Sequence, residues 1–164
     1  FDGNGPYRGL KRALYEGGVR VPFIAVWPGV IKPGSTSYHV LAFWDVMPTL
    51  RELSGAMPQE QSDGISFAPT LFGRGEQAEH PYLYWEFHEE GGRQAVRMGQ
   101  WKLIRQQVSD ASRTYEELFN LSADPGELRD VSADYPEVVR QLDDLIDRSH
   151  QPSKDFPLLP QEKR

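Results

Sequence analysis

From Tyr82 onward the hydrophobic period of the chain is two, and that alternation limits what its second half can fold into. Leu83, Trp85 and Phe87 alternate with Tyr82, Tyr84 and Glu86, and Gln94, Val96 and Met98 alternate with Arg93, Ala95 and Arg97. Successive side chains of a strand point to opposite faces, so each run predicts a two-faced strand. Gly99-Gln100 separates the second run from a third at 101–105, and glycine at the first central position predicts a type II′ hairpin. Residues 117–121 give a fourth strand, completing a small antiparallel sheet. Asp134-Tyr135-Pro136 then opens a helix, with Asp134 as its cap and the proline in the first turn. Val138, Leu142, Leu145 and Ile146 form one apolar stripe that should pack on the sheet. Arg140, Asp144 and Arg148 are spaced for i,i+4 ion pairs on the opposite face, and residues 152–164 read as an extended tail.

The first half has a different character. Residues 21–27, VPFIAVW, are continuously apolar, which suits a strand covered on both faces, as in a parallel sheet. Residues 10–16 hold about one helical turn before Gly17-Gly18. Residues 43–53 predict a helix with Val46, Leu50 and Leu53 on one face, Asp45 or Thr49 at its start and Gly55 as C-cap. Ser66 caps a short helix through about Phe72, followed by Gly73. The chain therefore reads as α/β, divided into 1–75 and 76–164. One parallel-type strand cannot make a sheet alone, because its partner must lie across a crossover connection. The chain also begins at Phe1 and shows no complete catalytic apparatus, so it is expected to be the C-terminal piece of a larger enzyme.

Composition removes several classes of function. Eighteen Lys and Arg against 24 Asp and Glu give a net charge of −6, which argues against a nucleic-acid partner. No apolar run approaches the roughly 20 residues of a membrane helix. With no cysteine, disulfides, thiolate metal sites and cysteine nucleophiles are excluded.

The densest chemistry lies in residues 6–22, PYRGLKRALYEGGVRVP. Lys11 would place a point-charge ammonium on a Gly-rich turn beside an apolar strand, an arrangement suited to an oxyanion; the alternative is a solvent-facing lysine. Arg8 stands between a loop contact and a substrate contact, and Arg20 is assigned to structure, by pairing with Glu16. Gly17 and Gly18 should provide either positive φ or a close backbone approach. His88, at the end of an aromatic strand, either lines a pocket or is an ordinary exposed histidine. Tyr82, Tyr84, Trp85 and Phe87 are read as core in preference to a sugar-stacking platform. Glu86, Glu89 and Glu90 do not form a glycosidase pair, since nothing places a second carboxylate across a cleft. His39, His80 and His150 lack metal-site spacing.

The segment RGLKRALYEGGVRVPFIAVWPGVIKPG resembles the sulfate-binding segment of type I sulfatases, through Arg8, Gly9, Lys11, Glu16, Gly17, Gly18, Arg20, Pro22, Trp27, Pro28 and Gly29. Asp45-Val46-Met47-Pro48-Thr49-Leu50, Asp63-Gly64, Trp101-Lys102, Glu117-Leu118-Phe119-Asn120-Leu121 and Asp124-Pro125-Gly126-Glu127 extend the resemblance over nearly the whole chain. The resemblance implies the C-terminal part of an alkaline-phosphatase-like α/β fold, ending in a four-stranded antiparallel sheet packed by a C-terminal helix. It implies hydrolysis of sulfate esters with a formylglycine nucleophile, made within a C/S-x-P-x-R motif, and a calcium ion held by Asp and Asn. It makes Lys11 the catalytic candidate, contacting sulfate, with Arg8 and His88 as substrate-binding candidates and no residue assigned to a metal.

Two departures matter. No C/S-x-P-x-R motif occurs, and Asp2-Gly3-Asn4-Gly5 lacks the adjacent Asp and Asn of the family's metal motif and lies nearer the lysine segment than that motif does, so Asp2–Pro6 is read as part of the loop between them. The expectation is a sulfatase fragment that is inactive alone. Its partners would be a sulfated small molecule or sulfated sugar and an N-terminal catalytic portion, in a periplasmic or extracellular setting. The alternatives are a non-catalytic carbohydrate- or protein-binding module on the sheet, and a phosphate-ester hydrolase of the same superfamily.

Overall fold

The computed structural model describes residues 3–57 and 61–163. Two compact units are present, Phe1–Val21 with Tyr82–Arg164, and Pro22–Pro81. The lysine segment is therefore grouped with the antiparallel sheet, across the division drawn at 75/76 from the sequence.

In the first unit, β1 (Leu83–Phe87), β2 (Arg93–Met98), β3 (Trp101–Gln106) and β4 (Tyr115–Asn120) form one antiparallel sheet in the order β1-β2-β3-β4. The predicted alternation sets the register, and Gly99 takes φ 57° at the first central position of the β2–β3 turn. Val96 faces Leu103, and Leu103 faces Leu118. On that face the closing helix, Pro136–Ser149, packs Leu142 and Ile146 against these three residues, with Tyr82 and Tyr84 at the margin. Each such fully buried aliphatic side chain contributes about 1.5–3 kcal/mol.

The opposite face is covered too. Ala95, Ile104 and Phe119 cluster with Leu14, flanked by Tyr15, Val19, Trp85 and Phe87. The four strand aromatics are thus shared between two cores, as the period-two reading requires.

Several local expectations change. The closing helix starts at Tyr135 and Pro136, with no side-chain cap; the Asp134 carboxylate accepts instead from Arg129 at 3.1 Å. The i,i+4 pairs do not form. Arg140 pairs with Glu137, and Asp143 and Asp147 both engage Arg105 of β3. Arg148 Nε donates to the Asp144 carbonyl oxygen instead of its carboxylate, and an exposed helix ion pair returns too little to fix two long side chains. The tail is more than an extended strand, since Pro160–Lys163 forms a 3-10 turn and Leu158 is buried.

In the second unit a 3-10 turn, Phe43–Asp45, leads into a helix, Val46–Ser54, closed by Gly55 at φ 69°. Asp45 does more than start it. Its carboxylate accepts from Ala42 N at 2.7 Å and Ile65 N at 2.8 Å and lies 2.8 Å from His80 Nε2. A short helix, Ala68–Phe72, follows Ser66, whose hydroxyl accepts from Ala68 N at 3.3 Å. The VPFIAVW segment, expected as a strand, has no strand pairing among the described residues, and Ile24 and Val26 are 85% and 81% exposed. Its apolar run is suited to a sheet interior, and no strand lies beside it to complete a ladder.

Candidate functional site

The lysine segment is a closed loop seated on the sheet. Gly17 N donates to Arg8 O at 2.8 Å and Ala13 N to Leu10 O at 2.9 Å. Asn4 Nδ2 donates to Gly9 O at 2.7 Å and Gly17 O at 3.0 Å, tying the two sides together. Gly17 and Gly18 lie inside a single helical turn, Glu16–Val19, which begins where the sequence suggested one would end. A Cβ on Gly17 would sit 2.4 Å from Gly9 O, and one on Gly18 2.0 Å from Ala13 O. Close backbone approach, rather than positive φ, is what demands these two glycines.

Lys11 occupies the turn at the loop apex, beside Arg12 at φ 81°. Its side chain is exposed, and among the described residues no hydrogen bond or ion pair holds its amine. The backbone beneath it is held. Arg93 Nη1 donates to Arg12 O at 3.1 Å, Arg93 Nη2 pairs with Glu90, and Arg12 Nε lies 3.1 Å from Glu89 Oε2.

At the base of the loop stands a buried ion cluster. Lys102, on β3, has no exposed surface and puts Nζ 2.9 Å from Glu16 Oε1. The same Nζ is 3.0 Å from Glu127 Oε1, an ion pair without the alignment of a hydrogen bond. The other Glu127 oxygen accepts from Glu16 N at 2.5 Å. Arg97 Nη1, 3.7 Å from Glu16 Oε2, brings a second cation. Burial pushes the Glu127 carboxyl above the usual carboxylate range, while the Lys102 ammonium works against that rise. The expected Glu16–Arg20 pair is absent, because Glu16 turns to the buried ammonium; Arg20 stacks over Tyr7, 4.6 Å from the ring centre. A fully buried lysine requires an anion, whereas an exposed arginine does not.

The Asp124-Pro125-Gly126-Glu127 motif builds the far side of this cluster. Asp124 Oδ2 accepts from Leu128 N at 2.7 Å and Arg129 N at 2.8 Å, closing the turn. Glu127 takes φ 55°, and Gly126 passes so near Pro6 that a Cβ there would lie 2.9 Å from its carbonyl oxygen.

Arg8 is engaged by the sheet unit. Nη1 donates to Glu117 Oε1 and to Glu127 O, each at 3.2 Å, and the guanidinium lies 4.0 Å over the Tyr15 ring. The Tyr15 hydroxyl donates to Glu117, and Gln106 Nε2 donates to Tyr15 Oη at 3.0 Å. Burial, reinforced by Glu117, raises the Tyr15 phenol, so it stays protonated at neutral pH. His88 is exposed at the end of β1, where Nε2 donates to Phe156 O at 2.8 Å. The structure thus gathers Arg8, Tyr15, Glu16, Lys102, Glu117 and Glu127 under the loop, holds Lys11 at its tip, and turns His88 toward the tail.

Chemically this arrangement offers an ammonium on a firmly held turn. Among the described residues no group of three or more His, Cys, Asp or Glu is placed to hold a metal ion, and Asn4 spends its amide nitrogen on loop carbonyls. Asp2 lies outside the described residues. The described residues therefore do not by themselves supply a calcium ligand set, and the sequence holds no Cys and no C/S-x-P-x-R motif from which a formylglycine could form.

Sequence reasoning singled out Lys11 and noted Trp101-Lys102 and the Asp124–Glu127 motif, but gave Lys102 and Glu127 no role. The available signal was a lysine inside the apolar alternation of β3, a residue type that needs a partner on a buried face.

Comparison with known proteins supplies the family. Residues 8–152 match the model of the N-sulphoglucosamine sulphohydrolase C-terminal domain. Human arylsulfatase A is 33% identical over 159 residues, covering 82% of this chain and 31% of the relative. A delta 4,5-hexuronate-2-O-sulfatase of Bacteroides thetaiotaomicron is 33% identical over 165 residues, covering 90% and 33%. A solved sulfatase from the same organism, from work on its metabolism of multiple glycosaminoglycans, superposes with TM-score 0.72 at 29% identity, covering 88% of this chain and 32% of the other. The chain spans about a third of the length of these proteins. It belongs to the sulfatase family, as the C-terminal portion of its alkaline-phosphatase-like fold.

Proposed function

We propose that this chain is the part of a sulfate-ester hydrolase that presents Lys11 to the sulfate group of the substrate. The observation that carries the reading is an exposed ammonium with no partner among the described residues, on a loop whose backbone is fixed by Asn4, Arg93 and the Glu16 cluster. A preorganised cation beside a transferring group stabilises the negative charge that grows on its oxygens in the transition state. Lys11 would hold one sulfate oxygen, and the fixed turn would limit the reorganisation needed to meet it. Arg8 would brace the loop through Glu117 and the Glu127 carbonyl. Calcium and formylglycine, which the sulfatase resemblance implies, would be supplied outside this chain, and no step is assigned to them here. The substrate class is a sulfated sugar or other sulfated small molecule, in keeping with the names of the hexuronate and aryl relatives. A periplasmic or extracellular location belongs to the same proposal. No helix among the described residues is long and apolar enough to cross a membrane.

The test is an assay of the full-length protein carrying this chain on 4-nitrophenyl sulfate, a sulfated hexosamine and 4-nitrophenyl phosphate. Release of inorganic sulfate by the full-length protein, with none by the 164-residue chain alone, is the expected result. Turnover of the phosphate ester without the sulfate esters would assign it instead to phosphate chemistry.

A further inference from the structure

We infer that Glu16, Lys102 and Glu127 act as a positioning device for Lys11, so that the antiparallel sheet sets where the sulfate-binding amine stands; this rests on the reading of Lys11 given above. Three observations carry it. Lys102 sits in the middle of the sheet, in register with Arg97 of β2 and Phe119 of β4, so two ladders fix its backbone, and Glu16 and Glu127 hold its Nζ. Glu16, held by that Nζ at 2.9 Å, opens the helical turn whose next amide, Gly17 N, closes the loop onto Arg8 O at 2.8 Å. Glu127 seals the other side by accepting Glu16 N at 2.5 Å. The path from sheet to loop closure is therefore a continuous run of charged and backbone hydrogen-bonding contacts, and Lys11 lies between the two ends that it pins.

The chemistry of the base supports a role in orientation. Burying two carboxylates and an ammonium brings a desolvation penalty that an apolar plug of the same volume would avoid, often with equal or greater stability. An apolar plug would leave the loop free to slide over the sheet, whereas an ammonium between two carboxylates accepts one register. Glu16, Lys102 and Glu127 are positioning residues; none is assigned contact with substrate.

A double-mutant cycle in the full-length enzyme tests this, with Glu16→Gln made in the parent and in Lys11→Ala, reading kcat and KM for a sulfate ester. Glu16→Gln keeps the shape of the side chain and leaves Lys102 paired with Glu127. The expected result is a loss in kcat/KM of at least about tenfold in the parent and less than about twofold in Lys11→Ala, since the device acts only through that amine. Equal losses in both backgrounds would show a merely structural role and overturn the proposal, as would an unchanged kcat/KM in the parent. If Lys11→Ala alone has no effect, the Lys11 reading itself fails and this proposal falls with it. Should Glu16→Gln not fold, Glu127→Gln, which keeps the Lys102–Glu16 pair, is read in the same cycle with the same expected and refuting outcomes.

Discussion

Replacing Lys102 by methionine isolates the energetics of the buried cluster. Methionine keeps the length and most of the volume of the side chain and removes the charge together with the N–H donor that Glu16 accepts. Lys102 is fully buried with Nζ within 3.0 Å of two carboxylates, so the variant leaves two buried anions facing each other. Removing one partner of a buried pair costs about 3–5 kcal/mol. Arg97, 3.7 Å from Glu16, still offsets part of that charge, which places the expected loss toward the lower end. For a chain of this size each kcal/mol moves Tm by roughly 2–4 °C, so the melting of the sheet unit should fall by roughly 6–20 °C. The pH dependence has a definite sign. Without the ammonium, which works against the effect of burial, the Glu127 carboxyl rises further above its unfolded value, so the folded variant binds more protons than the folded parent. The deficit is then largest above that folded pKa and shrinks as pH falls through it. Thermal unfolding followed by circular dichroism at about pH 8 and about pH 5 reads both effects. A variant melting within about 2 °C of the parent at the higher pH, or an identical deficit at both, would refute the reasoning.

Other outcomes follow from neighbouring features. Gly18→Ala drives a methyl to 2.0 Å from Ala13 O and should destabilise the sheet unit by about 1–3 kcal/mol in urea unfolding. Lys11→Ala, at an exposed side chain with no partner among the described residues, should stay within about 0.5 kcal/mol of the parent in the same assay. His150 has Nδ1 2.8 Å from Glu86 and Nε2 2.5 Å from Glu162; burial lowers its pKa, but the two glutamates prevail and hold it above the usual histidine range. Its contribution to tail docking is therefore fully present below the unfolded pKa of about 6.5 and lost as pH rises through the folded value. Hydrogen exchange across residues 156–162 should accelerate over that window, and His150→Gln should abolish the dependence.

Much of the sheet unit was legible because its signals are local. Period two marked β1 and β2, the Gly99 turn marked β3, β4 was placed at 117–121 where it runs Tyr115–Asn120, and the Val138–Ile146 stripe marked the face that the closing helix covers. Gly55 and Gly73 likewise marked helix ends by taking positive φ, as terminating glycines do. What escaped depends on partners distant in sequence. Glu16 meets Lys102 across 86 positions, a separation at which Arg20, four residues away, looked the better partner. Arg105 on β3 likewise takes Asp143 and Asp147 across 38 and 42 positions, contacts that no local spacing announces. Residues 21–27 carry the apolar run of a sheet-interior strand, but such a run reports what would suit a segment, not whether strands lie beside it, and among the described residues none pairs with it. At the site, the Lys11 motif was visible as a pattern of residue types, while the cluster beneath it became visible only when the second face of the sheet was seen to seat the loop.

The measurement that bears most directly on Lys11 as the sulfate-holding cation is kcat/KM of the full-length protein with a sulfate ester, for the parent and for Lys11→Ala. Loss of one preorganised charge-stabilising group predicts a fall of about 10²–10³ with the fold intact. A value within about twofold of the parent, in a protein that melts at the parent's temperature, would contradict it.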